Sequence, residues 1–538
     1  MHLHSLTACV LLASPALSQQ SLAPPNLETG VLGGFQGAMF GATVVVDGDR
    51  ALIAAPVTNL GTSFSGAAWI YHWNGQGWEL EQRLDAPGVE SYQEFGTHAD
   101  LRGDVAVVGC RYMDTASGFN SGGAVVFERQ AGAWNVVAEL TPPAGSAGKQ
   151  FGRGIAVDGD LVVVNTDQPQ DPFLVYERQA NGTWPLVGEV NLDQPQGLSL
   201  LQSSAEVRGD TLYLPMPYQA TSEGEIQVFE RDALGWHLAQ KIRTNATTPF
   251  NYLGRSFDVD GDTLVSGSPF VEQPGGVQGQ VTVFERIGGQ WFELDELSDG
   301  PANMQSLYGD SVALSGDRML VGQPQSGLGV AGTPRLHVYE RLNGAWTLVR
   351  TELDPRGTPV PYVPGQGVYG TYFGDALDLD GERAIVGAPF DDALFQDAGE
   401  AWVYDVGRLG VDVGAVSLGA GGTQALDLQA GFPEAGNVHL VLGSFAGSSP
   451  GLAVAGTTLP LNADPYLLFL LANPNAPPVV GGLGLLDANG QGSAQVVVGA
   501  ASAPALAGLT VAHAYVVLDA VSFVPRAASE AEALELLP

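Results

Sequence analysis

Phe373-Gly374-Asp375-Ala376-Leu377-Asp378-Leu379-Asp380-Gly381-Glu382-Arg383-Ala384-Ile385-Val386-Gly387-Ala388-Pro389 is the stretch on which the fold turns. It reads as an aromatic-Gly pair, a short alternating run, a Gly-acid pair eight residues after the aromatic, and a second apolar run. The same cassette recurs along the chain. Its Gly-acid pairs are Gly48-Asp49, Gly103-Asp104, Gly159-Asp160, Gly209-Asp210, Gly261-Asp262, Gly316-Asp317 and Gly381-Glu382, at intervals of 55, 56, 50, 52, 55 and 65 residues. The eight-residue offset holds in all seven, counted from Phe40, Phe95, Phe151, Leu201, Leu253, Tyr308 and Phe373. Self-similarity at a period of about fifty residues is the mark of a repeat architecture.

Each cassette predicts a hairpin. Val44-Val45-Val46 and Leu52-Ile53-Ala54 flank Asp47-Gly48-Asp49, and Asp-Gly supplies the positive φ values that a tight hairpin turn requires. A third strand ends in an aromatic followed by Glu-Arg, as in Phe127-Glu128-Arg129, Tyr176-Glu177-Arg178 and Tyr339-Glu340-Arg341. A fourth carries Trp78, Trp134, Trp184, Trp236, Trp291 or Trp346. Four short antiparallel strands per repeat is the arithmetic of a propeller blade. Apolar runs suit strands covered on both faces by neighbouring blades.

These residues carry a resemblance. Phe373-Gly374 with Gly387-Ala388-Pro389, and Phe40-Gly41 with Ala54-Ala55-Pro56, resemble FG-GAP repeats. Such repeats build the seven-bladed propellers of integrin α-subunit heads and of many secreted bacterial proteins. The resemblance covers about residues 30–407. Arg111 and Asp167 stand where two repeats would have the closing Pro, and Leu201-Gln202 replaces Phe-Gly in a third. The seventh repeat ends at Trp402-Val403-Tyr404 without a tryptophan strand. A ring must close or leave an edge, so residues 22–30 are expected to supply that strand.

After Arg408 the composition shifts. Residues 410–538 hold nine acids and a single base, Arg526. Apolar runs at Val438–Leu442, Tyr466–Leu471, Ala494–Val498 and Ala514–Leu518, separated by Gly/Pro/Asn turns, predict strands of a β-sandwich. The expected fold is therefore all-β: a leader at 1–18, a seven-bladed propeller at 19–409 and a C-terminal sandwich at 410–538. The apolar stretch Leu6–Leu17 and the small residues before Gln19 read as a secretory leader, placing the protein outside the cell or on its surface. Cys110 then stands alone, so no intrachain disulfide is expected.

The 58 acidic residues against 22 basic ones, a net charge of −36, argue against nucleic acid, whose phosphates need Lys/Arg stripes. No later run has the length of a membrane helix. Arg102-Gly103-Asp104 and Arg208-Gly209-Asp210 spell an adhesive tripeptide but occupy the hairpin-turn register. Asp258, Asp260 and Asp262, like Asp378, Asp380 and Glu382, place three carboxylates at alternate positions. Calcium needs six to eight oxygens, and in integrin-type propellers the equivalent hairpin is a longer Asp-rich loop. A turn is the favoured reading, calcium the alternative, and no other cofactor is expected.

No zinc-binding HExxH, GxSxG elbow, P-loop or dinucleotide fingerprint occurs. His98 and Asp100 share one face of an inner strand, with no partnered nucleophile. The expectation is a non-enzymatic protein whose loops capture an extracellular protein or polysaccharide. The alternative is a secreted hydrolase or lyase acting on glycans or phosphoesters at the channel mouth. Tyr252, Tyr362, Tyr369, Tyr372 and Phe390, on connections at the rim opposite the Asp-Gly turns, are the candidate binding residues, since aromatics on a rigid scaffold give contact area at low entropic cost.

Overall fold

The computed structural model describes residues 19–22 and 38–538, except 59–64, 76, 88–92, 167, 194–203, 218–222, 246–250, 274–275, 278, 300–306, 325–333, 357–370, 392–397 and 503. The proposed leader, and Tyr362 and Tyr369, thus lie outside the described residues. The chain divides into two compact units, Gln20–Val406 and Gly407–Pro538.

In the first unit each cassette becomes one four-stranded antiparallel sheet, seven in all among the described residues. The first runs Thr43–Asp47, Arg50–Ala55, Ala67–Trp73 and Trp78–Leu84. Its turn pairs Asp47 with Arg50 across Gly48, which has φ +61°. In the last sheet the outermost strand is Gln19–Leu22, paired to Glu400–Asp405. The last sheet is therefore completed by Gln19–Leu22, which shares Leu22 with the 22–30 expected from the sequence, while 23–30 lie outside the described residues. The register has a side-chain cause. Gln82 and Gln240, each four residues after a strand-four Trp, clasp the backbone of the next sheet's Trp134 and Trp291 through both amide atoms. Gln20 makes the same clasp on Trp78, donating at 3.0 Å and accepting at 2.8 Å.

The core is distributed between sheets. Phe40, Val44 and Ile53 of the first sheet pack with Leu22, Ile385 and Val403 of the last. Similar clusters join every other neighbouring pair. The glycines of the repeat permit this approach. A Cβ on Gly387 would meet the Gly41 carbonyl at 2.0 Å, and one on Gly41, at φ +87°, would meet the Glu400 carbonyl at 2.5 Å. The Glu-Arg pairs lace the outside: Arg178 to Glu128, Arg231 to Glu177 and Arg341 to Glu285, each at 2.6–2.7 Å and each between successive sheets.

The second unit packs a four-stranded and a six-stranded sheet around one cluster containing Leu428, Leu461, Tyr515 and Leu534. The run at 466–471 is an exception to the expected strands, since Pro465–Ala472 is an α-helix. Asp464 caps it by accepting from the Leu467 N–H at 2.7 Å, and Pro465 opens it. The local start signals and the absence of β-branched residues outweigh the apolar run. No helix among the described residues is long and apolar enough to cross a membrane.

Candidate functional site

The innermost strands of the seven sheets line a channel, and three side-chain positions on them decide its chemistry. Three residues after the cassette aromatic, Thr43, Ser256 and Ser311 donate to carbonyls of the following sheet, at 3.1 Å to Thr97, 3.1 Å to Gly309 and 2.6 Å to Gly374. Five residues after it, Asp100, Asp258 and Asp378 accept from the N–H groups of Val157, Leu314 and Val46 at 2.6–2.7 Å. Seven residues after it, Asp47, Asp158, Asp260 and Asp380 accept from the turn glycines Gly103, Gly209, Gly316 and Gly48 at 2.6–2.7 Å. Every one of these bonds runs from one sheet to the next, and those of Asp378 and Asp380 join the last to the first. Hydrogen bonds to ionised acceptors contribute about 1.5–3 kcal/mol each.

These staples account for the acidic triplets. Asp258 and Asp378 are engaged with neighbouring backbone, as are Asp260 and Asp380. Asp262 pairs with Arg286 at 2.8 Å, and Glu382 with Arg318 at 3.6 Å. The six carboxylates point to separate partners instead of one centre. The two tripeptide arginines are likewise held. Arg102 reaches Asp47 at 3.1 Å, while Arg208 reaches Glu206 at 2.7 Å and Asp258 at 3.2 Å. This end of the channel is a cavity of about 250 Å³ lined by Asp100, Arg102, Glu206, Arg208, Asp258 and Asp378, among others. Burial pushes Glu206 up to about 8, Asp378 to about 7 and Asp100 to about 6.

The opposite mouth departs from the repeat. It is a cavity of about 480 Å³ whose lining includes His98, Arg111, Arg153, Arg255, Asp310 and Asp375. His98 occupies the position of the Thr and Ser staples, yet its Nδ1 is buried without a hydrogen-bond partner. Burial, reinforced by the Arg153 and Arg111 charges, lowers it to about 3 and keeps the ring neutral. Asp100, its neighbour on the inner strand, is turned to the Val157 and Leu101 N–H groups, so the sequence pairing of His98 with Asp100 is not formed. Arg111, standing where the repeat has proline, pairs with Glu94 and lies 4.7 Å from the Tyr112 ring centroid. Arg255 pairs with Asp310 at 2.8 Å and lies 5.0 Å from the Phe270 centroid. Burial, with the Asp310 charge, pushes Asp375 up to about 7.

Three of the five candidate aromatics are described, and the fold brings them to this side. Tyr252 stacks edge-on with Phe270 at 5.8 Å, and Tyr372 with Phe390 at 5.1 Å. Tyr252 and Tyr372 each precede the cassette aromatic, in the left-handed region at φ 52° and 55°, as do Met39, Glu94, Gln150 and Leu307. Their carbonyls accept from Arg255 and Asp375, which line the mouth. Sequence reasoning missed His98, Arg111, Arg153, Arg255 and Asp375 as a group. The available signal was their departure from the other repeats at the same cassette positions.

Residues 78–127 and 134–171 match the model of the FG-GAP repeat family. None of the curated proteins matches the chain. Solved structures similar to it include a protein of Lactobacillus plantarum from a structural genomics consortium, 11% identical over 60% of this chain and 86% of that one, with a TM-score of 0.37. Another is the periplasmic gluconolactonase of Pseudomonas aeruginosa, 14% identical over 58% of this chain and 87% of that one, with a TM-score of 0.38. That an enzyme stands among these neighbours corrects the expectation of a non-enzymatic protein. The expectation rested on missing local motifs, and a propeller gathers its channel groups from repeats some fifty residues apart, where no local motif reads them. FG-GAP repeats are thus present at 78–127 and 134–171, and one four-stranded sheet stands on each cassette, as in the blades of a β-propeller.

Proposed function

We propose that the protein is an exported recognition propeller that captures an extracellular protein or polysaccharide on the rim opposite its Asp-Gly turns. The observation that carries this reading is the pair of matched aromatic contacts, Tyr252–Phe270 and Tyr372–Phe390, half-buried at the same place in two repeats. Rings presented by a rigid scaffold bind with little ordering cost. The test applies the full chain and a Tyr252→Ser/Tyr372→Ser variant to arrays of extracellular glycans and peptides. Capture is expected to fall by about tenfold or more with the melting temperature of the propeller unchanged, since each anchor lost costs more than about 1 kcal/mol. Unchanged capture by an intact fold moves the binding face elsewhere.

A second reading is hydrolysis or elimination of a glycan or phosphoester at the mouth itself. It is favoured by Asp375, held to about 7 in a cavity that also contains a neutral His98, because a general acid or base works best with its pKa near the ambient pH. Release of product from array ligands separates this reading from binding alone.

A further inference from the structure

We propose that Asp375 and Asp310, neighbours at the wide mouth of the channel, form an acid–base pair that hydrolyses a neutral glycoside. This rests on the hydrolysis reading and deepens it by naming the two residues and the substrate class.

The first argument is position. Arg255, Asp310 and Asp375 stand two residues after Leu253, Tyr308 and Phe373, at the same cassette position in three consecutive sheets. Their N–H groups donate to the carbonyls of Tyr252, Leu307 and Tyr372 at 2.9–3.0 Å. The residues that follow tie these positions to one another. Ser256 donates to the Gly309 carbonyl at 3.1 Å, and Ser311 to the Gly374 carbonyl at 2.6 Å. Asp310 is thus fixed between Arg255 and Asp375. The other four repeats carry Ala42, Thr97, Arg153 and Ser203 here, so no second carboxyl pair arises at this cassette position.

The second argument is the unlike state of the two carboxyls. Arg255 donates to Asp310 from Nε at 3.2 Å and from Nη2 at 2.8 Å, both onto Oδ1, so the ion pair leaves Oδ2 to accept a proton. The Asp375 side chain makes no hydrogen bond among the described residues, and burial with the Asp310 charge pushes it up to about 7. A protonated carboxyl beside an ion-paired carboxylate is the donor set of glycoside hydrolysis. Asp375 gives its proton to the glycosidic oxygen as the bond from that oxygen to the anomeric carbon breaks. Asp310 takes a proton from the water whose oxygen bonds to that carbon, and the proton then returns to Asp375 through solvent. The substrate is neutral because Arg111 and Arg255 are already engaged by Glu94 and Asp310, which an anionic sugar would have to displace. His98, a neutral ring whose buried Nδ1 has no partner, offers a sugar hydroxyl an uncharged contact. The cavity, about 480 Å³, lies in the range of small-ligand pockets and has room for one or two sugar rings.

The test is turnover by the full chain of 4-nitrophenyl glycosides of glucose, galactose and mannose, with 4-nitrophenyl glucuronide and 4-nitrophenyl phosphate as anionic probes. A neutral glycoside is expected to turn over about tenfold or more faster than either anion, which would be placed against Asp310. Asp310→Asn and Asp375→Asn are each expected to lower kcat by about 100-fold or more with an unchanged melting temperature. The Asp375→Asn loss should be larger on the methyl glycoside of the same sugar, whose leaving group needs the proton that nitrophenolate does without. In the unaltered chain kcat/KM should fall as pH rises through about 7, a limb that is measured without any variant. Glu94, His98, Arg111, Arg153 and Glu206 line the same cavity. Of these, Glu206 is pushed up to about 8, and loss of the limb in Asp375→Asn separates Asp375 from it. Retained turnover in either Asn variant, faster turnover of an anionic probe, or no fall near pH 7 overturns the acid–base pair and leaves hydrolysis at the mouth standing. No turnover of any probe by the unaltered chain sinks both.

Discussion

The two units solve the problem of covering β-sheets in opposite ways. In the sandwich of Gly407–Pro538, two sheets enclose one apolar cluster, and interior residues such as Tyr515 and Leu534 are fully buried. In Gln20–Val406 no sheet owns its core. Seven clusters lie between successive sheets, and the channel side is joined by carboxylates and hydroxyls that reach from each sheet to the next. The difference shows where polar chemistry can be afforded. A single shared interior tolerates few charges, whereas a ring has an axial channel on which charged staples can lie.

The strongest way to break this comparison is to open the ring. Removing residues 19–22 takes away the outer strand of the last sheet, the Gln20 clasp on Trp78 and Leu22 from the closing cluster. The propeller should aggregate through its exposed edge, measured by size-exclusion chromatography, and its melting transition should fall by many degrees while that of the sandwich is unmoved. An unshifted propeller transition would mean that the edge is tolerated.

A smaller effect tests the staples. Asp378→Ala leaves the Val46 and Leu379 N–H groups without their acceptor, a loss of about 1–3 kcal/mol by denaturant unfolding. A change under about 0.5 kcal/mol would show that channel water replaces the carboxylate.

The smallest expected effect is a difference in pH dependence. The raised carboxylates Asp100, Glu206, Asp375 and Asp378 keep protons in the folded propeller after the unfolded chain, with carboxyls near 4, has released them. Their contribution is complete in acid and is lost as pH rises through about 6 to 8. His98, lowered to about 3, and His337, lowered to about 4, oppose this below the ordinary histidine range. The clear window for the propeller is therefore roughly pH 6.5 to 8.5, where its melting temperature should fall. In the sandwich, burial lowers His513 to about 4 and lowers His439 as well. The unfolded chain binds those protons first, so stability there should rise up to about pH 6.5 and then stay level. Calorimetric scans of the full chain resolve the two transitions, and parallel slopes above pH 6.5 would remove the distinction.

How much of this was legible follows from distance along the chain. The hairpins, the strand count per repeat and the repeat period were readable because Asp-Gly turns and alternating apolar residues act over a few positions. The helix at Pro465–Ala472 was misread for the same reason, since six apolar residues in a row carry no period and only the Asp464 cap distinguishes helix from strand. The acidic triplets read as turns, with calcium the alternative, and spacing along a strand did not reveal that Asp378 reaches Val46, 332 residues away.

The sequence by itself determined the repeat, the all-β class, the glycine pairs that let sheets approach and the side of the propeller on which Tyr252 and Tyr372 emerge. The tertiary structure alone decided that Gln19–Leu22 closes the ring, that the alternate aspartates are staples, and that His98, Arg111, Arg153 and Arg255 meet in one cavity. Local sterics and hydrophobic period write the first set into every cassette. The second set depends on side chains from different cassettes converging on one axis, and that convergence exists only when the sheets are arranged as a ring.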